Sequence, residues 1–166
     1  MPIAVAEIAD WSDLFVAAAG ATAALAGLVF VAISINIERV LQLDGVPELG
    51  MVTLLLLIGV LVVSMFGLIP GQSEHALGIE LIVQSVLWSL AIALLIRRSV
   101  ASLSEGEGRY PSRVVLPLFG TIPYLVGAIL LIIGTDSAMY WVFAGMLGAI
   151  LAAVMNAWIL LVEILR

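Results

Sequence analysis

A carboxylate and a carboxamide stand one helical turn apart inside a long apolar segment of this sequence. Glu80 and Gln84 are four residues apart, and side chains at that spacing share one face of a helix. At about 1.5 Å per residue, both fall in one half of a bilayer or near its midplane. Thr22, Ser64 and Tyr124 fall at similar depths in other apolar segments. These five residues are a predicted polar layer inside the membrane.

Glu80 admits two interpretations. An ionised carboxylate deep in a bilayer costs about 2.5 to 3.5 kcal/mol, so Glu80 should face protein or water rather than lipid. In the structural interpretation it lies about one turn below the membrane boundary and reaches interfacial water or accepts a hydrogen bond. In the functional interpretation it belongs to a proton- or cation-linked site, to which Ser64 and Tyr124 contribute hydroxyl groups.

A second group of polar residues marks the end of the first apolar segment. Ser34 and Glu38 share a helix face, and the neighbouring Arg39 can extend toward lipid headgroups. Ser34 lies roughly 35 Å along a helix from Trp11, so a simple exit from the membrane explains it. In a homo-oligomer Glu38 could instead form an acidic ring. Asn156, near the same leaflet, would then line the path rather than bond between helices, so Ser34, Glu38 and Asn156 are a predicted inner vestibule.

The sequence lacks the motifs that mark common catalytic and metal sites. The chain has no Cys and a single histidine, His75, which falls in a predicted turn. It contains neither a G-x-S-x-G nor an H-E-x-x-H motif. We therefore expect no enzyme activity, no cofactor and no metal site. The net charge of -6 argues against nucleic acid as a partner.

The segments that must position these residues are membrane helices. Of the residues 64% are hydrophobic and 11% charged, and the mean hydropathy is +1.27, which excludes a soluble domain. Continuous apolar runs cover 14–33, 51–69, 76–96, 114–133 and 138–161, unlike the short alternating strands of a barrel. We predict an all-α, single-domain bundle of five transmembrane helices at about 12–43, 50–70, 74–100, 114–134 and 137–165, with a cytoplasmic loop at 99–113.

The arginines predict the orientation. The six basic residues are Arg39, Arg97, Arg98, Arg109, Arg113 and Arg166. Five crossings place all of them on one side, which the positive-inside rule identifies as the cytoplasm. The N-terminus is then outside and the C-terminus inside, in the cytoplasmic membrane of a bacterium or archaeon. Trp11, Tyr140 and Trp141 fall at the outer boundary, and no cleavable signal peptide is expected.

Two segments are dense in small residues at helical spacing. Gly20, Ala24 and Gly27 form one such face, and Gly145, Ala149 and Ala152 form the other. Such faces let helix backbones approach closely. The sequence leaves open whether they pair within one chain or between subunits, although we expect at least one subunit contact. In the fourth segment Pro117 and Pro123 predict a kink, because proline removes a backbone donor inside a helix.

These features lead to one main functional hypothesis and two alternatives. The main one is a homo-oligomeric channel or transporter for cations, protons or a small solute. The alternatives are a membrane scaffold or accessory subunit of a larger complex, and a binder of lipid or another apolar ligand. The expected partners are membrane lipids, further copies of the chain and, for the scaffold, an unidentified membrane protein.

Overall fold

The fold is helical throughout the described residues. The computed structural model describes residues 8–102 and 112–165, in which a short 3-10 helix, Ile8–Trp11, precedes the first α-helix. The α-helices are α1 (Ser12–Ile35), α2 (Ile37–Gln42), α3 (Val46–Gly67), α4 (Glu74–Ser102), α5 (Ser112–Ile133) and α6 (Ala138–Leu165). The all-α prediction is confirmed for this part of the chain.

Four stretches of the described chain are long and apolar enough to cross a membrane. They are Ile8–Ile35, Val46–Gly67, Glu74–Arg98 and Ala138–Val162, and Gly120–Ile133 in α5 is a shorter apolar stretch. Large apolar side chains are exposed along them, among them Leu28, Phe30 and Trp158, each more than 60% exposed. Soluble proteins rarely expose so extended an apolar surface to water. These helices therefore indicate an integral membrane protein.

Helices α3 to α6 form a closed four-helix arrangement, and α1 packs outside it. Helix α3 contacts α4 and α6, α5 contacts the same two helices, and α1 packs mainly on α3. Glycines set the α1–α3 register: the ring of Phe15 fills the space where Gly67 lacks a side chain, and a Cβ on Gly50 would lie 2.9 Å from Ile33. The two helices are thus antiparallel, with the start of α1 beside the end of α3.

The first predicted helix, 12–43, is divided at Asn36. Helix α1 ends at Ile35, and the Asn36 side chain donates to the carbonyl of Ala32 at 2.9 Å. A side-chain amide that bonds its own backbone competes with helix continuation. The short helix α2 then places Val40 in a buried cluster with Leu49 and Leu160. The bundle therefore covers Val40, whereas Ile37 and Leu41 of α2 are exposed.

The other predicted helix bounds differ from those in the structure mainly by a few residues at the helix ends. Gly45 adopts a left-handed conformation, φ 73°, and α3 begins at Val46 rather than at 50, with Pro47 in its first turn. Pro is favoured in that first turn because the missing N–H would be unpaired anyway. Helix α4 continues to Ser102 and α5 begins at Ser112, so only 103–111 of the predicted loop 99–113 lies between them, outside the described residues.

Candidate polar site between helices α3 and α6

Two side chains of α4 donate hydrogen bonds to the backbone of α3. Gln84 Nε2 donates to the carbonyl of Gly59, and Trp88 Nε1 donates to the carbonyl of Leu55, both at 2.7 Å. Gly59 makes this approach possible, because a Cβ there would lie 2.9 Å from Trp88 Nε1. The two bonds fix α4 against α3 at the middle of both helices.

A small cavity adjoins these bonds in the centre of the bundle. Its volume is ≈ 20 Å³, and residues of α3, α4, α5 and α6 line it, including Gln84 and Ser85 from α4 and Thr121 and Tyr124 from α5. Gln84 Oε1 and the Tyr124 hydroxyl are buried and have no hydrogen-bond partner among the described residues. Buried polar atoms are nearly always bonded, so these two exceptions single out the cavity as a candidate site.

Helix α6 supplies the surface against which Tyr124 lies. A Cβ on Gly145 would lie 2.9 Å from the Tyr124 ring, and a Cβ on Gly120 would lie 3.0 Å from the Cα of Ala149. Ala149 and Ala152 are buried. The predicted small-residue face of α6 therefore packs inside the chain, against α5, and positions the tyrosine.

The small-residue face of α1 lies on the outer surface of the chain, away from α3. Gly20, Ala24 and Gly27 are exposed, and nothing lies within 4 Å of a Cβ built on either glycine. The opposite side of α1, which carries Phe15 and Thr22, is the side buried against α3. Within one chain this face of α1 is uncovered.

Glu80 lies one helical turn before Gln84 in α4, nearer the end of the bundle that carries the α3–α4 turn. Its carboxylate is half-buried and accepts a hydrogen bond from Gln72 Nε2 at 2.7 Å. Gln72 Nε2 also lies 3.3 Å from the carbonyl of Phe66. Gln72 lines a cleft of ≈ 490 Å³ between this turn and the start of the chain's described part. Glu80 is thus a half-buried carboxylate near this end of the bundle, and Gln72 connects it to the cleft.

Thr22 and Ser64 do not reach the central cavity. Both are fully buried, and each hydroxyl donates to the carbonyl four residues earlier in its own helix, Ala18 and Val60 respectively. Such local bonds satisfy a hydroxyl in an apolar setting without a partner helix. Of the predicted polar layer, the structure brings together Gln84 and Tyr124 at the cavity, with Glu80 a turn away.

The residues of the predicted inner vestibule are separated within one chain. Ser34 is exposed and donates to the carbonyl of Phe30, and Glu38 is exposed on α2. Asn156 is 1% exposed inside the bundle, and its Oδ1 has no partner among the described residues. Leu160 of α6 packs with Leu49 of α3, and these two helices are antiparallel. Asn156, one turn before Leu160, therefore lies at the same depth in the bundle as the buried Thr53, one turn after Leu49.

Helix α5 runs through both of its prolines. Pro117 and Pro123 fall within Ser112–Ile133, which the structure keeps as one helix. Pro123 is half-buried and directly precedes Tyr124, and the side chain of Pro117 lies outside the described part. The predicted kink stays a prediction.

Sequence reasoning missed three residues that organise this site. Trp88 continues the spacing of Glu80 and Gln84 by one more turn, so the same i, i+4 rule could have included it. Gly59 is an isolated glycine in an otherwise bulky span, which signals a close approach. Gln72 gave no such signal, because its bond to Glu80 spans a turn.

No family model, curated protein or solved structure matches this chain. The site must therefore be interpreted from its own chemistry. Within the described part of the chain, no three His, Asp or Glu side chains are grouped so that they could hold a metal ion. The groups at the cavity are hydroxyl, amide and indole, which exchange hydrogen bonds.

Proposed function

We propose that the protein is a small homo-oligomeric channel or transporter that moves protons or other small cations across a cytoplasmic membrane. The observation that carries this proposal is the pair of unpartnered polar atoms, Gln84 Oε1 and Tyr124 OH, at a cavity in the middle of the bundle. Polar groups inside membrane helices are expensive and usually mark a pathway or a binding site.

The polar groups are spaced along the bundle from the end with the α3–α4 turn toward the other end. Gln72 and Glu80 lie near that first end, Gln84 follows one turn inward, and Tyr124 lines the central cavity together with Gln84. Asn156, with its own unpartnered Oδ1, is buried farther along, where α6 meets α3. The carboxylate and the hydroxyl can pass a proton through bound water, and the amides can orient that water by hydrogen bonds.

The size of the cavity favours protons over hydrated cations. At ≈ 20 Å³, it has room for about one water molecule, whereas a cation with its hydration shell is larger. A proton passing along carboxyl, hydroxyl and water groups needs no wider opening. Larger cations would require a path between subunits, where exposed Glu38 supplies a carboxylate.

The proposed topology has five spans, with α5 as the fourth crossing. Arg39, Arg97 and Arg98 are exposed at the ends of α2 and α4, on one side of the bundle. At the other side, the rings of Trp11 and Tyr140 pack edge to face at 5.1 Å. Arginines on one side and aromatics on the other support an external N-terminus and a cytoplasmic C-terminus in a bacterial or archaeal cell.

Proton flux into liposomes tests the proposal. Purified protein is reconstituted with a pH-sensitive dye inside the vesicles, and a potassium diffusion potential drives proton entry. We expect flux above that of empty vesicles, lowered several-fold in Glu80→Gln and in Gln84→Leu. The matched control is Thr22→Val, because Thr22 is also buried but bonds only within α1. Flux equal to empty vesicles, or variants equal to wild type, would contradict the proposal.

A second candidate function is a membrane scaffold or accessory subunit, and the position of α1 favours it. Only 11% of the apolar window of this span is buried, so most of its surface is available to another protein. Extraction in a mild detergent followed by mass spectrometry tests this candidate. A stoichiometric second chain supports it, whereas a homogeneous self-assembly with no other chain contradicts it.

A further inference from the structure

The central cavity has the chemistry of a binding site for one small molecule. Gln84 is 7% exposed and Tyr124 is 6% exposed, so bulk solvent does not satisfy them. Gln84 Nε2 donates a hydrogen bond to the carbonyl of Gly59. The atom of that amide without a partner among the described residues is its oxygen, which only accepts hydrogen bonds.

The two unpartnered groups are complementary. Gln84 Oε1 requires a donor, and the Tyr124 hydroxyl can both donate and accept. A molecule that donates to Gln84 and accepts from Tyr124 satisfies both atoms. The hydroxyl-bearing side chain of Ser85 lines the same cavity and offers a third partner.

The volume restricts the ligand to the size of water. A water molecule needs about 10 to 15 Å³ of such space and two to four polar partners, and the cavity provides ≈ 20 Å³. None of the described residues that line it is acidic. Glu80, the carboxylate one turn away on α4, is bonded to Gln72. The lining thus matches a neutral molecule better than a cation.

We propose that a single water molecule binds in this cavity and bridges Gln84 Oε1 to the Tyr124 hydroxyl. Gln84 is fixed to α3 by its other end, and Tyr124 lies against Gly145 of α6. The water therefore links the α3–α4 pair to the α5–α6 pair by hydrogen bonds at the centre of the bundle. This site does not depend on the proposed transport function.

Hydroxyl-radical footprinting of the protein in lipid nanodiscs tests the site. Radicals generated from a bound water oxidise the side chain beside it, whereas a buried aromatic ring with no water beside it stays unmodified. Phe15 is the internal control, because it is fully buried against Gly67 at the α1–α3 contact. After each rate is divided by the intrinsic reactivity of its residue type, we expect Tyr124 to be oxidised several-fold faster than Phe15. Equal rates at the two residues would overturn the proposal.

A variant cycle gives a second measurement. Gln84→Leu and Tyr124→Phe are compared singly and together by thermal unfolding in detergent. If one water bridges the two groups, each single change leaves the other orphaned, so the double variant melts at a higher temperature than additivity predicts. Additive shifts would overturn the bridge.

Ion replacement separates water from a cation. Exchanging sodium and potassium for a bulky organic cation should leave both the Tyr124 oxidation rate and the melting temperature unchanged. A loss of either on exchange would identify a bound monovalent cation and overturn the water assignment. A protein that binds the water but shows no proton flux contradicts the transport proposal alone.

Discussion

At the scale of single residues, Gly59 determines how closely the side chains of α4 approach the backbone of α3. Its missing side chain lets the indole of Trp88 and the amide of Gln84 reach carbonyls of α3. These carbonyls lie inside a helix, so each side chain adds a bond to an acceptor that has a second lone pair. Hydrogen bonds between membrane helices contribute about 0.6 kcal/mol each on average.

Replacing Gly59 by Ala should destabilise the bundle. The new Cβ would lie 2.9 Å from Trp88 Nε1 and 3.1 Å from Cδ1, so the ring must move away from Leu55. Overpacking of this kind costs about 1 to 3 kcal/mol, which exceeds the gain of about 1 kcal/mol from alanine in a helix. Unfolding in graded denaturing detergent measures the change.

Gly20→Ala is the control for Gly59→Ala. Nothing lies within 4 Å of a Cβ at Gly20, so this change should leave stability equal or raise it by up to about 1 kcal/mol. A Gly59→Ala protein as stable as Gly20→Ala would show that the indole does not need this close approach.

At the scale of elements, the two small-residue faces have different roles. The face of α6 with Gly145, Ala149 and Ala152 is buried inside the chain, and α5 packs on its first two residues. The face of α1 with Gly20 and Gly27 is uncovered within the chain. Helix α1 also touches α3 almost exclusively. If the protein is a homo-oligomer, α1 is the helix with surface left for a subunit contact.

Leucine at Gly145 and at Gly27 should therefore have opposite consequences. Gly145→Leu forces a side chain into the ring of Tyr124, which lies 2.9 Å from the Cβ position, and should lower the melting temperature of the folded chain. Gly27→Leu should leave that temperature unchanged and reduce the oligomeric fraction. Sedimentation in mild detergent measures the second effect. An unchanged oligomer in Gly27→Leu would place the subunit contact on another surface.

At the scale of the whole molecule, the ends of the bundle differ in charge. Arg39, Arg97 and Arg98 lie at one end together with Glu38, Asp44 and Glu48, whereas Asp10, Asp13 and Asp136 lie at the other end without a described arginine. Such an asymmetry sets how a helical protein inserts, because basic residues resist translocation.

Cysteine labelling should reveal this orientation directly. The chain has no cysteine of its own, so Ser137→Cys and Gln42→Cys each create a single reporter at an exposed position. A membrane-impermeant maleimide should label Ser137→Cys in intact cells and Gln42→Cys only after the membrane is opened. Labelling of both in intact cells, or the reverse pattern, would contradict the proposed topology.

The local chemistry of the candidate site was predictable from the sequence only in part. The spacing of Glu80 and Gln84 placed them on one face, and depth counting placed Tyr124 near them. Depth alone could not show that Thr22 and Ser64 bond within their own helices. It also could not show that Glu80 is bound by Gln72, because that bond depends on the conformation of a turn.

The sequence by itself determined the class of the protein and the approximate extent of its helices. Long apolar runs can satisfy their backbone in lipid only as helices, which makes that conclusion independent of neighbours. The tertiary structure alone decided which faces meet, that Asn36 divides the first helix, and that Gln84 and Tyr124 share a cavity. The physical reason is that periodicity identifies a helix face, whereas the partner of that face depends on close packing between distant segments.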